Sequence, residues 1–293
     1  MKKIAILGCE NSHADQFLGF IRDDAHYSSL EVVGVYSVEP AAAERLAEKY
    51  GVPILPSPDA AAGQVDGLIV TARDGRNHYP YAAPYLPSGI PVFLDKPITS
   101  DEGEAVRLMR ACRQYGVRPT GGSSCVHIDE VQDLRRAVLE KRGGETLGGV
   151  VRGPIDLHNS YGGFWFYAQH VTEILCEIYG RFPKTVVASP SEDGGKITVL
   201  FRYPAYTVTA LFTEGCYVYS AERFSEAGNE GGVFPVTGDS PCFRREFHAF
   251  YELLSGGAPR LREEELIAPV FVMDAIARSM KSRKEEVVHP IVL

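Results

Sequence analysis

Apolar runs and amphipathic stretches alternate along the first part of the chain. Ile4–Leu7, Leu30–Tyr36, Val52–Leu55, Gly67–Thr71, Val92–Leu94 and Arg118–Thr120 read as strands. The most apolar of these, such as Val92–Leu94, have the pattern of strands buried on both faces, as in parallel sheets. The segment after the first strand places Ala14, Phe17, Leu18 and Ile21 on one helical face, with Asn11 or Ser12 as cap. Pro40 suits a first helical position, Leu46, Ala47 and Tyr50 form a stripe, and Gly51 closes the helix. Glu102–Tyr115 is a further helix, opened by a capping-box pattern at Thr99 and Glu102. Strands alternating with helices predict a doubly wound parallel sheet over residues 1–122. Right-handed crossovers then set the first and fourth runs side by side at a switch point.

The pattern changes near Gly121. Helices are predicted over Ile128–Lys141, Phe164–Tyr179, Phe243–Leu254 and Glu263–Met280. Strands are predicted at Val150–Leu157, Thr185–Ala188, Lys196–Tyr203, Tyr206–Phe212, Cys216–Ser220 and Val287–Val292. Ala227–Gly238 is Gly-rich and reads as a loop. Short turns between neighbouring strands imply a mainly antiparallel open sheet, giving an α+β domain over residues 123–293. A bare sheet face invites a second subunit, so a homo-oligomer, dimer or tetramer, is expected through that sheet.

Bulk properties narrow the class. The 293 residues are 45% hydrophobic and 23% charged, as in a water-soluble globular protein. The net charge of -8 and the lack of a basic stretch argue against nucleic-acid binding. No apolar run is long enough to span a bilayer, so no membrane partner is expected. The opening Met1–Gly8 segment breaks at Cys9 and Glu10, and reads as a buried strand rather than a signal peptide. The six scattered cysteines form no Cys-x-x-Cys pair, which predicts reduced thiols, a cytoplasmic location and no structural zinc.

Candidate chemistry concentrates at three places. In Pro91–Ser100, a short apolar run ends in Asp95, Lys96 and Pro97. Proline keeps Lys96 out of helical angles, at the carboxyl end of a strand where open α/β sheets place ligands. A lysine there can exchange a proton with a substrate oxygen. The second place is the turn Gly8-Cys9-Glu10-Asn11-Ser12-His13, which stands where a G-x-G-x-x-G dinucleotide turn belongs but keeps only its first glycine. Glu10 brings a carboxylate where backbone normally approaches the pyrophosphate; like charges about 4 Å apart repel by about 4 kcal/mol at an effective dielectric of about 20. Asn11, Ser12 and the helix N-terminus can still bond a phosphate, so the turn alone fits either a nucleotide site or a plain tight turn. Ser37 holds the position usually given to the acidic residue that binds the ribose, and tolerates NAD and NADP alike.

The third place is Asp156–His170. Gly162 and Gly163 lead into an aromatic helix bearing Trp165, Tyr167, Gln169 and His170. Phe166, His170 and Glu173 share one helical face. Asp156 and His158, read as lying on one strand, face the same side; no third ligand is placed by spacing, and no metal is expected.

Together these residues resemble the Gfo/Idh/MocA family of oxidoreductases, across nearly the whole chain. Asp95-Lys96-Pro97 is similar to the family's Glu-Lys-Pro motif, Asn77-His78 to its Asn-x-x-His segment, and Gly162-Gly163 with His170 to its glycine-rich entry to the helix bearing a histidine. The resemblance extends to Phe247, Phe250, Leu254 and the helix from Glu263. It implies a nicotinamide cofactor, NAD or NADP, and a small polyhydroxylated substrate such as a sugar or inositol. It implies Lys96 as proton donor or acceptor and His170 as its partner. Thr71, Ala72, His78 and Asp95 join Gly8, Glu10, Asn11, Ser12, His13, Ser37 and Lys96 as implied cofactor contacts; His158, Trp165 and Gln169 are candidate substrate contacts. Phe166 stands where the family has an aspartate, and Tyr167 beside it can supply a hydroxyl instead. The losses in the turn leave two other readings open, a non-catalytic sensor and a non-redox lyase or isomerase.

Overall fold

The computed structural model describes residues 1–293 and divides into two units: Met1–Gly122 with Phe243–Leu266 and Leu293, and Ser123–Cys242 with Ile267–Val292. In chain order the elements are β1 (Lys2–Leu7), α1 (Ser12–Asp23), β2 (Leu30–Tyr36), α2 (Pro40–Tyr50), β3 (Gly67–Val70), α3 (His78–Ala82), β4 (Val92–Asp95), α4 (Glu102–Tyr115) and β5 (Pro119–Gly122). There follow α5 (Asp129–Leu139), β6 (Thr146–Ile155), α6 (Phe164–Tyr179), β7 (Thr185–Pro190), β8 (Lys196–Arg202), β9 (Thr207–Glu214), β10 (Tyr219–Ser225) and β11 (Gly228–Phe234). The chain closes with α7 (Pro241–Leu254), α8 (Glu263–Ser282) and β12 (Glu286–Val287).

The first unit holds a parallel five-stranded sheet in the order β2-β1-β3-β4-β5. Every residue of β3 and β4 is buried, which explains why Gly67–Val70 and Val92–Leu94 are apolar without alternation. β1 pairs with β2 on one side and β3 on the other, so the switch point lies above β1 and β3, as the pattern predicts. Phe247, Phe250 and Leu254 of α7 close one face: Phe17 and Phe247 rings lie 5.1 Å apart, and Phe93 meets Phe250 edge-on at 6.3 Å.

Two local readings of this unit are corrected. Val52–Leu55 forms only an isolated bridge, Val35 with Ile54, and no strand. Pro53 and Pro56 supply no N–H for a ladder. The cap of α4 is Asp101, whose carboxylate accepts from the Glu104 N–H at 2.7 Å; Thr99 instead donates its hydroxyl to the Asp101 carbonyl.

The second unit holds a seven-stranded sheet, β11-β10-β6-β9-β8-β7-β12. β6 and β9 run parallel, and the other pairs are antiparallel. α6 lies against β6 and β9 and packs on α5. Several boundaries differ from the pattern, and the strand expected at Cys216–Ser220 lies instead at Tyr219–Ser225. Gly228–Phe234, expected as loop, is the edge strand β11. Gly231 makes it possible: a side chain there would meet the Ala221 carbonyl at 2.1 Å. The last strand stops at Val287, short of Pro290, which cannot donate to a ladder. β6 ends at Ile155, so Asp156 and His158 are not on a strand; the Asp156 carboxylate accepts from the His158 N–H at 3.1 Å in a turn. No helix is long and apolar enough to cross a membrane.

Candidate functional site

In the first unit the chemistry gathers at the carboxyl end of β4. Asp95 has no exposed surface and Lys96 is 4% exposed; the Lys96–Pro97 peptide is cis. Asp95 is a hub. Its Oδ2 accepts from Asn11 Nδ2 at 2.7 Å and meets His13 Nδ1 at 2.7 Å, while Oδ1 accepts from the Lys96 N–H at 2.7 Å. Burial pushes the Asp95 carboxyl up, but the charge and hydrogen bond of His13, then Lys96, outweigh it and hold the carboxyl below its ordinary value. Asn11 stands at the N-cap of α1 without capping it, because its amide is turned to Asp95. His13 stacks on Phe17 at 5.8 Å and is 3.9 Å from Glu246 Oε2. His13, Asp95 and Glu246 bring donor atoms within 4.8 Å of one another, but the 2.7 Å contact ties imidazole directly to carboxylate. Asn11 and His13 thus orient the end of β4 from the turn after β1.

The turn itself is tight. Gly8 has φ +83°, and a side chain there would meet the Ala72 backbone at 2.3 Å. Thr71 donates its hydroxyl to the Gly8 carbonyl at 3.1 Å, and His78 Nε2 bonds the Ala72 carbonyl at 2.8 Å. Thr71, Ala72 and His78 have no exposed surface, so they shape the loop from behind. Burial lowers the His78 pKa and keeps that ring neutral. Ser12 is exposed at the start of α1, its hydroxyl 3.3 Å from Asn11 Oδ1. Glu10 is 5% exposed and crosses from the turn to the end of β2. Its Oε2 accepts from the Ser37 hydroxyl at 2.7 Å and its Oε1 from the Arg73 N–H at 3.1 Å. A sugar hydroxyl, which donates, fits this acceptor.

In the second unit His170 sits on α6, 8% exposed. Its Nδ1 is 2.6 Å from the Ser123 hydroxyl and 3.6 Å from Cys125 Sγ. Ser123 is itself fixed: its Oγ accepts from the Cys125 N–H, and its own N–H donates to Glu173 Oε2 at 3.0 Å. Gln169, with no exposed surface, donates to Glu173 Oε1 at 2.7 Å and so backs this carboxylate. Ser123 therefore faces His170; Tyr167 meets it through its ring, with centroids 6.4 Å apart. Sequence reasoning missed Ser123, which carries no motif of its own and reaches α6 only through the fold. Tyr167 and Trp165 are half-buried, and His158 is exposed on its turn.

Comparison with known proteins follows this geometry. Residues 2–122 match the Gfo/Idh/MocA family model, described as an oxidoreductase family with an NAD-binding Rossmann fold. That segment is similar to the family's NAD-binding domain and includes Asp95, Lys96 and the turn after β1. A candidate UDP-kanosamine synthase oxidoreductase subunit of Amycolatopsis mediterranei is 26% identical over 138 residues. That match spans 47% of this chain and only 37% of the relative. Among solved structures, the apo scyllo-inositol dehydrogenase of Lactobacillus casei superposes with TM-score 0.84 at 14% identity, covering 98% of each chain. WlbA dehydrogenase of Chromobacterium violaceum, solved with NADH and UDP-GlcNAcA, gives TM-score 0.80 at 17% identity, covering 100% of this chain and 97% of its own. The likeness therefore extends through both sheets as a fold.

Proposed function

We propose that the protein is an NAD(P)-dependent oxidoreductase of small polyhydroxylated compounds, a sugar, an inositol or a sugar derivative. The observation that supports this most is the buried Lys96, held at the carboxyl end of β4 beside Asp95 in a domain of the NAD-binding family. The dinucleotide, when bound, supplies the hydride acceptor or donor. In the oxidising direction the substrate hydroxyl proton passes to the Lys96 amine as the carbon gives up its hydride, leaving a carbonyl. In the reducing direction the ammonium returns that proton to the oxygen. His170 is the partner in proton transfer, and Trp165, Tyr167 and His158 are assigned to substrate contact. A homo-oligomer through the seven-stranded sheet belongs to the same reading. Titration with NADH and NADPH followed by fluorescence, then turnover on inositols, sugars and nucleotide sugars, tests it. Micromolar binding of at least one dinucleotide and oxidation of a member of these classes are expected; no binding of either at millimolar concentration overturns it.

Ser123 is a positioning residue for His170 on this reading. Ser123→Ala is expected to lower turnover about tenfold and to alter the pH profile, because Nδ1 of His170 loses the hydroxyl 2.6 Å away. Ser123→Thr keeps the hydroxyl and should restore the profile. Unchanged pH dependence in Ser123→Ala would remove Ser123 from this role.

A further inference from the structure

Resting on the oxidoreductase reading above, we propose that Glu10 supplies the carboxylate that recognises the adenosine ribose and makes the enzyme select NAD over NADP. In dinucleotide folds the acid that receives the ribose 2′-hydroxyl stands at the end of the second strand. Here that position is Ser37, uncharged and unable to repel a 2′-phosphate. The fold returns the missing charge from another element. Glu10 leaves the β1–α1 turn, reaches the end of β2, and places Oε2 2.7 Å from Ser37 Oγ. The two residues lie 27 positions apart in sequence, so nothing local connects them.

The hydrogen bonds fix the carboxylate's character. Ser37 donates to one oxygen and the Arg73 main chain to the other, so the side chain is held in place as an acceptor. Each carboxylate oxygen has a further lone pair and can accept from a ribose hydroxyl. A 2′-phosphate at the same place offers no proton to share and brings like charge against a carboxylate that is 5% exposed, where water screens poorly. Of the neighbouring cations, Arg45 pairs with Asp15 at 3.5 Å, and Arg73 meets Glu10 through its main chain. Glu10 therefore sits at the second glycine position of the turn with a use of its own, in place of the close backbone approach that glycine permits.

The test is binding, measured as dissociation constants of NADH and NADPH by fluorescence on the full chain. Wild type is expected to bind NADH at least tenfold more tightly than NADPH. Glu10→Gln keeps size and an acceptor oxygen but removes the charge; it should weaken NADH several-fold, tighten NADPH and bring the two within about threefold. Glu10→Ser guards against a poorly packed glutamine and should narrow the ratio in the same way. Equal affinities in wild type overturn the proposal. So does tightening of both dinucleotides by either variant, which would make Glu10 an obstruction instead of a ribose acceptor. Binding of neither dinucleotide by any of the three proteins would remove the oxidoreductase reading itself, a distinct outcome.

Discussion

Lys96→Ala is expected to cut turnover by about 10²–10⁴-fold while NADH binding stays within a few-fold of wild type. The size follows from what a positioned acid or base contributes to proton transfer. A thousandfold loss corresponds to about 4 kcal/mol of transition-state stabilisation. The buried setting of Lys96 makes this loss hard to make up: at 4% exposure, little solvent reaches its place to carry the proton instead. Lys96→Arg sharpens the experiment. It keeps a cation beside Asp95, but a guanidinium does not give up its proton and cannot act as the base. Turnover should stay low in both variants, with thermal melting reporting that each is folded. A sensor that only binds small molecules would show altered affinity and no catalytic loss. A lyase or isomerase using the same lysine would turn over after all nicotinamide is removed. Turnover within threefold of wild type in Lys96→Ala would end the assignment of Lys96 as the proton carrier.

The sequence carried the scaffold well where burial is two-sided. β3 and β4 are buried along their whole length, so their apolar runs had no competing interpretation. Helices with a clear end, such as Glu102–Tyr115 with one apolar face and Phe164–Tyr179, buried nearly all round, were legible to the residue. Legibility failed where a strand depends on its neighbour. Three of the five residues in Gly228–Gly232 of β11 are glycine, and the strand is extended through its pairing with β10. Phe243–Leu254 showed helical periodicity, yet no local signal says that its aromatics pack with Phe17 and Phe93.

The candidate site divides the same way. Asp95-Lys96-Pro97 announced itself, because the strand end and the lysine are adjacent in sequence. Their supports did not. Asn11 read as a candidate phosphate contact and His13 as a lost glycine; in the fold both are turned to a carboxylate more than eighty residues away, at separations of 84 and 82. Ser123 meets His170 across 47 residues and Glu10 meets Ser37 across 27. Spacing rules act over a few residues, so pairings of this reach become visible only once the sheets set their ends together. Replacing the second and third glycines by Glu10 and His13 is then legible as a different wiring of the turn.

Asp95→Asn should be the most damaging single change to stability, about 3–5 kcal/mol at pH 7, the range for breaking a buried charged network by removing one partner. Asp95 receives Asn11 Nδ2, His13 Nδ1 and the Lys96 N–H, and its side chain has no exposed surface. An asparagine keeps one acceptor oxygen and turns an NH₂ group toward donors, so at least one buried partner is left without a bond. The charge also carries a pH signature. The folded pKa of Asp95 lies below the ordinary 3.8, so the folded state prefers the ionised form. Its contribution is fully present above that ordinary value and is lost as pH falls from there through the lower folded pKa. The stability gap between wild type and Asp95→Asn should therefore be wide at pH 7 and shrink below about pH 4. Urea unfolding of both proteins at neutral and acid pH reads this directly, and comparing the two at each pH cancels the carboxylates they share. A gap under about 1 kcal/mol at pH 7, or one that does not narrow in acid, would mean that Asp95 is not the charged centre on which the end of β4 is built.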